Sequence, residues 1–568
     1  MNLLGKAHDP AFWAEVREKD LYRALREDLL ARFATDGMGK IPALSYSAYR
    51  RFVFDGDRNE YETPYFQRRR MMNLLAVMCL IYPEREDCLV KLMDVIYAIC
   101  DEYTWCLPAH QTELGKNNNR HIDLFAAETG FCLSEIYHLL GDRFEPLISD
   151  RIRVEIDRRI VQSFLSTAFF WERVPTNWAA VCAGSVGCTF MLMRPDLMPD
   201  VDERISSAMK FFLSGFGPDG VCEEGFSYWC YGFGFFTVWA DMYRAFTEGR
   251  EDWFKLEKVK AVAPFLSRMY LTGPCTVSFS DTGRTGVYNI GILHYLKKEY
   301  PDEVVVPDPA YSELMDACGR WCTFLRTFTW MEEAYMTSAD GEAELTYFAP
   351  SVSWLVKRGA AYSFAAKGGH NAEPHNQHDV GSFILAKDGR QILTDPGGGV
   401  YTRQYFTPAV RYDGVACGSR GHSVPFFGTE EDRTEKGKHY GYQKDGKQFC
   451  ATDVAFTGDT FTMDIGPAYG EAFVRKVLRT FTFGEHGFTL RDEFDVDAGI
   501  PVTDRLVSLS PFTVEKGKAV TDLATLTFDP SLYDVSTSVG DFRPDTPVYF
   551  LDLKLKEGVT VCEVEVTV

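Results

Sequence analysis

Histidine is rare in this chain, yet several of its histidines lie in one short region near two aspartates. There are 11 histidines in 568 residues. The segment GGHNAEPHNQHDVGSF contains His375, His378 and Asp379, and Asp395 and His422 follow it. Imidazole and carboxylate groups transfer protons near neutral pH and also bind divalent metals, so this pattern predicts a site for one of these chemistries. Surface loops that happen to contain histidine are the simpler alternative.

Two aromatic motifs earlier in the chain carry a second group of polar residues. In TNWAAVCAG, Asn177 and Trp178 follow Pro175, and asparagine at such a position is by itself typical of a helix cap. In DGVCEEGFSYWCYGFGFF, Tyr228 and Tyr231 follow a glycine-rich turn. Either tyrosine ring can belong to a core or to a platform for sugars. Neither motif identifies a reaction without the other.

The tyrosine motif also carries carboxylates that support a different chemistry. Asp219, Glu223 and Glu224 can supply the two carboxylic acids that a glycoside hydrolase places on either side of the bond it cleaves. That interpretation gives no role to the histidine region or to Asn177. A protein that binds sugars without cleaving them is a further alternative.

The elements that position these residues change character near residue 340. Up to about residue 330, apolar residues recur at three- and four-residue spacing, as in CLVKLMDVIYAICDEYTW, with short breaks at Pro or Gly. This predicts antiparallel helical hairpins over residues 1–340, in a layered array or an incomplete (α/α) toroid. Later, short β-branched and aromatic runs alternate with Gly and Asp turns, and the Asp-Gly of AKDGRQ predicts a hairpin. Residues 341–568 are therefore predicted to form an antiparallel β-sandwich, giving a multidomain α+β protein.

Composition sets limits on partners and location. Asp and Glu number 81 against 60 Lys and Arg, for a net charge of -21, which argues against binding nucleic acid or an anionic membrane. The 15 cysteines include no C-x-x-C pair, so we expect reduced core residues. No apolar run has the length of a membrane span, and the N-terminal residues lack the pattern of a signal peptide. We expect a cytoplasmic protein without an organic cofactor.

Together, these segments resemble the heparinase II/III-like polysaccharide lyases. The resemblance runs from about residue 60 to 480 and is most specific in HNAEPHNQHDVGSFILAKDGRQILTDPGGGVYTRQYF, followed by RY and SRGHSVP. WCLPAH, IDLFAAETG, the Asn177–Trp178 pair and the motif that ends at Tyr228 are also similar to the family. The resemblance implies an (α/α) toroid followed by an antiparallel β-sandwich, with the active site between them.

The reaction that this resemblance implies is β-elimination at a 4-linked uronic acid. A base removes the proton next to the carboxylate, and the bond to the 4-linked neighbour breaks to leave an unsaturated sugar. The Asn177 amide would hold the carboxyl group and stabilise its growing charge. Tyr228 or His375 would remove the proton. The choice between them depends on the substrate, because the proton lies on opposite ring faces in glucuronate and iduronate.

Further residues match the walls of the cleft in the family. His110, Trp178, Tyr401 and Arg411 are the substrate-binding candidates, and Arg411 can pair with a carboxylate or sulfate in fork geometry. Packing of loops is the alternative role for each of them. The expected partner is an acidic chain such as heparin or heparan sulfate, hyaluronan or chondroitin, with alginate or another uronate oligosaccharide as the alternative. Assembly into a homo-oligomer is compatible with all of these features.

The resemblance also implies one divalent metal, zinc or manganese, with a structural role in the β-domain. Asp395 and His422 match two of the expected ligands. The first ligand position falls on Gln377, and His378 is its neighbour. Because side chains alternate across a strand, His378 can take that position only through a bulge or a loop, so we keep both residues as candidates. Bound metal would hold the loop that carries His375.

Overall fold

The protein forms two compact units, each built from more than one segment of the chain. The computed structural model describes residues 3–111, 119–336, 343–543 and 546–568. The helical unit comprises Met1–Phe216, Trp229–Ala263 and Val287–Ser338, and the β unit comprises Gly217–Tyr228, Pro264–Gly286 and Ala339–Val568. The boundary predicted between residues 340 and 341 lies outside the described residues and stays a prediction. Two segments that precede it fold with the β unit, and one of them ends at Tyr228.

Helices make up most of the first unit, and further helices belong to the β unit. In chain order the helices are α1 (Pro10–Glu18), α2 (Arg23–Arg32), α3 (Tyr46–Asp55), α4 (Asn59–Ile81), α5 (Glu86–Cys100), α6 (Leu124–Leu140), α7 (Pro146–Ile156), α8 (Gln162–Ser166), α9 (Asn177–Met193), α10 (Met198–Ser214), α11 (Phe226–Tyr228), α12 (Gly234–Phe246), α13 (Glu257–Val262), α14 (Phe265–Arg268), α15 (Ile290–Glu299), α16 (Trp321–Thr329), α17 (Pro408–Arg411) and α18 (Glu430–Lys436). Of these, α11, α14, α17 and α18 belong to the β unit. Within the described ranges, none of the helices combines the length and the apolar character that crossing a membrane requires.

Helix α9 shows how the helical unit is packed. It contacts α6, α10 and α12, and every residue from Ala179 to Leu192 is buried. A helix that is apolar on all sides fits such a surrounded position. Gly187 allows α12 to approach closely, because a Cβ atom there would lie 2.9 Å from Nε1 of Trp239. Consecutive helices such as α4 and α5 also pack on each other, as the short breaks between them predict.

Antiparallel strands dominate the β unit. They are β1 (Tyr270–Thr272), β2 (Cys275–Thr276), β3 (Leu345–Ala349), β4 (Trp354–Arg358), β5 (Ser363–Lys367), β6 (His370–Asn371), β7 (Phe383–Lys387), β8 (Arg390–Leu393), β9 (Phe426–Phe427), β10 (Gly446–Cys450), β11 (Thr452–Phe456), β12 (Thr460–Asp464), β13 (Val474–Gly484), β14 (Gly487–Val496), β15 (Val502–Ser508), β16 (Thr513–Glu515), β17 (Lys518–Val520), β18 (Thr525–Thr527), β19 (Tyr533–Arg543), β20 (Thr546–Leu555) and β21 (Val561–Thr567). One large sheet has the order β11-β12-β13-β14-β21-β18-β17-β16, and the other has the order β19-β20-β15-β8-β7-β5-β4-β3.

The two large sheets enclose an aromatic core. The ring of Phe364 on β5 lies 5.0 Å from that of Phe481 on β13, and the ring of Phe383 on β7 lies 5.2 Å from the same Phe481. Inward-facing side chains of both sheets therefore meet, as in other sandwiches. The predicted antiparallel β-sandwich is confirmed.

A tight hairpin brings two of the predicted site segments to one end of the sandwich. Asp388 and Gly389 have φ angles of 50° and 77° and connect β7 to β8, as the Asp-Gly signal predicts. Asp379 precedes β7 and Asp395 follows β8. Because the two strands are antiparallel neighbours, both aspartates lie at the same end of the hairpin.

Candidate functional site

Tyr228 and His375 form the centre of the candidate site, and both belong to the β unit. Tyr228 is the last residue of α11, and His375 lies in the loop between β6 and β7. Their rings stack with centroids 4.1 Å apart. The His375 side chain is 20% exposed, so a ligand can reach it. The structure thus brings together the two residues that the sequence proposes for proton transfer.

The backbone of His375 adopts an unusual conformation. Its φ angle is +58°, in the left-handed region that residues other than glycine seldom occupy. Such a conformation costs free energy and persists where surrounding contacts enforce it, often at functional sites. The ring of His375 is held by a hydrogen bond with Asp281.

Asp281 is a fully buried carboxylate that accepts hydrogen bonds from several residues of the site. Its Oδ2 atom lies 2.8 Å from Nδ1 of His375 and accepts from the Tyr401 hydroxyl at 3.2 Å. Its Oδ1 atom accepts from the Tyr405 hydroxyl and, at 3.2 Å, from Nε2 of Gln377. Gln377, which the sequence proposes as a metal ligand, is therefore part of this network.

The charge of Asp281 determines which imidazole nitrogen faces the ligand. Burial raises the pKa of Asp281, whereas His375, Arg411 and Tyr405 lower it, and the net direction is downward. An ionised Asp281 accepts the proton of Nδ1, which leaves Nε2 of His375 free for chemistry. That Nε2 atom lies 3.9 Å from a carboxylate oxygen of Glu224.

Tyr401 contacts both central residues. Its hydroxyl lies 2.8 Å from that of Tyr228, and its ring is nearly parallel to that of His375, at an interplanar angle of 7°. Burial, followed by the effects of Tyr228 and Asp281, raises the pKa of Tyr401 far above its ordinary value. Tyr401 therefore keeps its proton.

The guanidinium group of Arg411 bonds to nearby residues of the β unit. It donates to the carbonyl oxygen of Asn376 at 2.8 Å and to that of Tyr405 at 3.0 Å, and it lies 3.4 Å from Asp281. Its side chain is only 10% exposed. These contacts favour the loop-packing role of Arg411 over direct pairing with a substrate.

The remaining candidates lie in the helical unit. Nδ1 of His110 is 2.7 Å from Oδ2 of Asp123, and the His110 ring is 4.9 Å from that of Trp178. Asn177 is the first residue of α9, and Thr176 occupies the N-cap position, so the interpretation of Asn177 as the helix cap is wrong. Asn177 is 2% exposed.

A second cluster, of one histidine and two aspartates, is buried in the β unit. Ligand atoms of Asp379, Asp395 and His422 all lie within 4.8 Å of one another, and all three residues are buried. Nδ1 of His422 is 2.9 Å from Oδ2 of Asp395, which also accepts from the Ser382 hydroxyl at 2.8 Å. Lys367 lies 2.9 Å from Asp379. The structure thus supplies Asp379 as the third group of the cluster, beside the predicted Asp395 and His422.

Unpaired polar atoms make this cluster suited to a metal ion. Among the described residues, the buried Nε2 of His422 and the buried Oδ2 of Asp379 have no hydrogen-bond partner, whereas Oδ1 of Asp379 forms an ion pair with Nζ of Lys367 at 2.9 Å. Burial raises the pKa of Asp379 to about 6. Burial lowers the pKa of His422, but Asp395 raises it, and the net direction is upward. One imidazole nitrogen with carboxylate oxygens is a donor set that zinc or manganese accepts, so these residues fit the metal that the sequence suggests.

His378 has a different environment from the other proposed ligands. Its ring stacks on that of Tyr412 with centroids 3.6 Å apart, and its backbone amide donates to the carbonyl oxygen of Cys417 at 2.8 Å. Burial lowers the pKa of His378 to about 3, so the ring is neutral. His378 is not part of the buried group formed by Asp379, Asp395 and His422.

Comparison with solved structures identifies proteins that have a similar fold. The sequence matches no model of a known protein family, and no curated protein matches it. The solved structure of heparinase III is 13% identical, and the match covers 100% of this chain and 84% of that one with a TM-score of 0.64. The chain has the heparinase-like polysaccharide lyase fold. The predicted fold class, a helical toroid followed by an antiparallel β-sandwich, is thereby confirmed.

Other solved lyases share this heparinase-like fold. The heparan sulfate lyase of Pedobacter heparinus is 14% identical, and the match covers 99% of this chain and 86% of that one with a TM-score of 0.55. The chondroitin AC lyase of Streptomyces coelicolor A3, solved in complex with chondroitin sulphate, is 10% identical. That match covers 98% of this chain and 82% of the lyase with a TM-score of 0.57.

Sequence reasoning missed the residue that connects the site. Asp281 lies 94 positions from His375, in the segment SFSDTGRTG, which carries no recognisable motif. Tyr405 follows Tyr401 in a recognised segment, but nothing in its spacing distinguishes it from other tyrosines. Only the contacts of Asp281 identify these residues as parts of one network.

Proposed function

We propose that this chain is a polysaccharide lyase that cleaves a 4-linked uronic acid by β-elimination. The stacked pair of Tyr228 and His375, with centroids 4.1 Å apart, is the observation that carries this proposal. Two groups able to transfer protons meet at a partly exposed point, which is what abstraction of a proton next to a carboxylate requires. The names of the solved neighbours, which include a heparan sulfate lyase and a chondroitin AC lyase, support a glycosaminoglycan as the substrate.

The reaction balances without water. The base takes the proton from C5, the electron pair left behind forms the C4–C5 double bond, and the bond from C4 to the bridging oxygen breaks. The leaving oxygen then receives a proton. Tyr228 is proposed as the base for one epimer and as the acid that returns the proton, while His375 is proposed as the base for the other epimer.

The neighbours of the pair support these roles. When Tyr228 is deprotonated, the Tyr401 hydroxyl, 2.8 Å away, can turn its one proton from Asp281 to the Tyr228 oxygen and stabilise the negative charge. Asp281 acts as a positioning residue, because its bond to Nδ1 keeps Nε2 of His375 facing outward. Neither neighbour needs to change its charge during the reaction.

Residues outside this pair have proposed roles in binding. Asn177 is proposed to hold the carboxyl group of the uronate, and His110, Trp178 and Tyr401 to contact neighbouring parts of the sugar chain. Asp379, Asp395 and His422 would hold a divalent cation, which supplies a fixed positive charge that stabilises the loop between β6 and β7. We assign no step of the reaction to that cation. Cytoplasm is the proposed location.

The test is a substrate panel with two measurements. Heparan sulfate, hyaluronan, chondroitin sulfate and alginate are each incubated with the purified protein. Ultraviolet absorbance follows the new double bond, which is conjugated with the carboxylate, and mass spectrometry determines the product masses. Elimination gives an absorbing product that is lighter by one water than the product of hydrolysis. Non-absorbing products that contain the added water would indicate a hydrolase, and an unchanged panel would favour a sugar-binding protein.

A further inference from the structure

A tyrosine-lined cavity lies within the helical unit; none of its lining residues is assigned above, although the hydroxyl of Tyr49 in the lining donates to Gln111, the neighbour of His110, at 2.7 Å. The cavity has a volume of about 810 Å³ and is formed by the start of α3, by α4 and by the end of α5 with the turn that follows. Its lining includes Tyr46, Tyr49, Tyr61, Tyr97 and Tyr103. The volume falls in the range of about 300 to 1,000 Å³ that is typical of small-molecule sites.

Three of these tyrosines present their rings to solvent. Tyr46, Tyr97 and Tyr103 are 71%, 44% and 60% exposed. The ring of Tyr49, which also lines the cavity, makes an edge contact with that of the buried Tyr61 at 5.3 Å between centroids. A group of exposed aromatic rings around a cavity is unusual for a soluble protein and often marks a binding site.

The charged side chains that line the cavity are Arg68, Asp101 and Glu102. All three have ionic partners, and two of those partners, Arg69 and Arg151, are not lining residues. Arg69 donates to both oxygens of the buried Glu102 at 2.7 Å, and Arg68 donates to one of them at 3.1 Å. At the rim, Arg151 donates to Asp101 at 2.6 Å. An ionic ligand would have to displace one of these partners, so the cavity favours an uncharged ligand.

We propose that this cavity binds an uncharged sugar ring, a hexose or an N-acetylhexosamine. Tyrosine combines a rigid apolar face with a hydroxyl group, and a sugar ring combines apolar C–H faces with hydroxyls at its edge. The exposed faces of Tyr97 and Tyr103 contact the ring, and their hydroxyls, with the Asp101 carboxylate, bond to the sugar hydroxyls. The site is independent of the proposed lyase activity, because an uncharged sugar has no carboxylate that elimination could use.

The test measures binding of N,N′-diacetylchitobiose to the full chain by saturation-transfer NMR and calorimetric titration. The wild-type chain is expected to bind this sugar, and the double variant Tyr97→Ala/Tyr103→Ala to bind it at least about tenfold more weakly. Phe54→Ala is the matched control, since Phe54 is an exposed aromatic residue of the same α3 outside the cavity lining. It is expected to bind as the wild type does. The variants Tyr97→Phe and Tyr103→Phe keep the rings and are expected to retain most of the affinity.

Four outcomes would overturn the proposal. The first is no binding at about 10 mM sugar, a concentration at which even weak sites fill. The second is unchanged binding by the double variant with the same melting temperature. The third is binding that disappears in Tyr228→Phe but survives in the double variant, since the sugar would then occupy the elimination site. The fourth is self-association of the wild type that the double variant abolishes, because the exposed rings would then form a protein interface.

Discussion

Two histidine–aspartate pairs in the β unit have nearly the same bond geometry and very different surroundings. Nδ1 of His375 lies 2.8 Å from Asp281, and Nδ1 of His422 lies 2.9 Å from Asp395. The side chain of His375 is 20% exposed, whereas that of His422 is 0% exposed. The pairing orients the ring in both cases. The partly exposed His375 can offer its second ring nitrogen for proton transfer. The second ring nitrogen of His422 is buried, as it would be in a metal site.

The surroundings of the second nitrogen make the same distinction. Nε2 of His375 lies near Glu224 and beside the stacked ring of Tyr228. Nε2 of His422 is buried and has no hydrogen-bond partner among the described residues. An unpaired buried nitrogen costs free energy unless a proton acceptor or a metal completes it. The comparison therefore predicts catalytic effects at the first pair and effects on stability at the second.

Removal of the Tyr228 hydroxyl is expected to have the largest effect on turnover. Tyr228→Phe should lower kcat by about 10² to 10⁴-fold, the usual contribution of a general acid or base, while substrate affinity stays near the wild-type value because the ring remains. Steady-state kinetics and calorimetric titration measure the two quantities. Tyr362→Phe is the control, since it removes a hydroxyl that donates to the Gly487 carbonyl of the sandwich. Turnover of Tyr228→Phe within about threefold of wild type would reject its role.

Asp281→Asn is expected to have the next largest effect. Without the negative charge, Nδ1 of His375 loses its ionised acceptor, and the ring can take the wrong tautomer. We expect kcat to fall by about 10²-fold with KM near the wild-type value. The same change at the second pair, Asp395→Asn, should leave kcat per folded molecule within about threefold. Equal losses of kcat in both variants would end the distinction between the pairs.

At the second pair, the expected loss is in stability. His422→Ala leaves the buried Asp395 without its partner and should lower the free energy of unfolding by about 3 to 5 kcal/mol. Thermal unfolding followed by circular dichroism measures the change. The folded fraction at low temperature should keep its turnover. A variant that melts like the wild type but has no activity would show that His422 takes part in the chemistry.

The metal content of variants distinguishes among the proposed ligands. The wild-type chain should carry one zinc or manganese ion, and chelation should lower its melting temperature, because metal binding contributes to folding free energy. Asp379→Asn should abolish the metal content. His378→Ala and Gln377→Ala should retain it, since those side chains contact Tyr412 and Asp281 instead. Metal that is lost in His378→Ala and kept in Asp379→Asn would restore the ligand set that the sequence suggests.

The smallest effect is expected at Arg411. Arg411→Lys should lower kcat/KM by less than about tenfold, because lysine can replace only part of the bonds that Arg411 makes to the carbonyl groups of Asn376 and Tyr405. The loss should be equal for sulfated and unsulfated substrates. A loss confined to sulfated chains would show that Arg411 pairs with the substrate.

The order of helices and strands follows largely from the sequence. Apolar spacing is a local property, so the helical half, the later strands and the Asp388–Gly389 hairpin could be predicted without coordinates. The resemblance to the heparinase II/III-like lyases also singles out Tyr228 and His375 as proton-transfer candidates, and Asp395 and His422 as metal ligands. The structure brings each of these pairs together.

Only the tertiary structure shows to which of the two sites each neighbouring residue belongs. The alternation rule groups His375, Gln377 and Asp379 on one face of a strand, but these residues form a loop, where that rule does not apply. Gln377 contacts Asp281 beside His375, whereas Asp379 belongs to the buried cluster. The identity of Asp281 as the anchor of His375 is a contact across 94 positions. Side-chain periodicity is set by a few neighbouring residues, and long-range contacts are set by the packing of the whole unit, so the sequence pattern alone does not contain them.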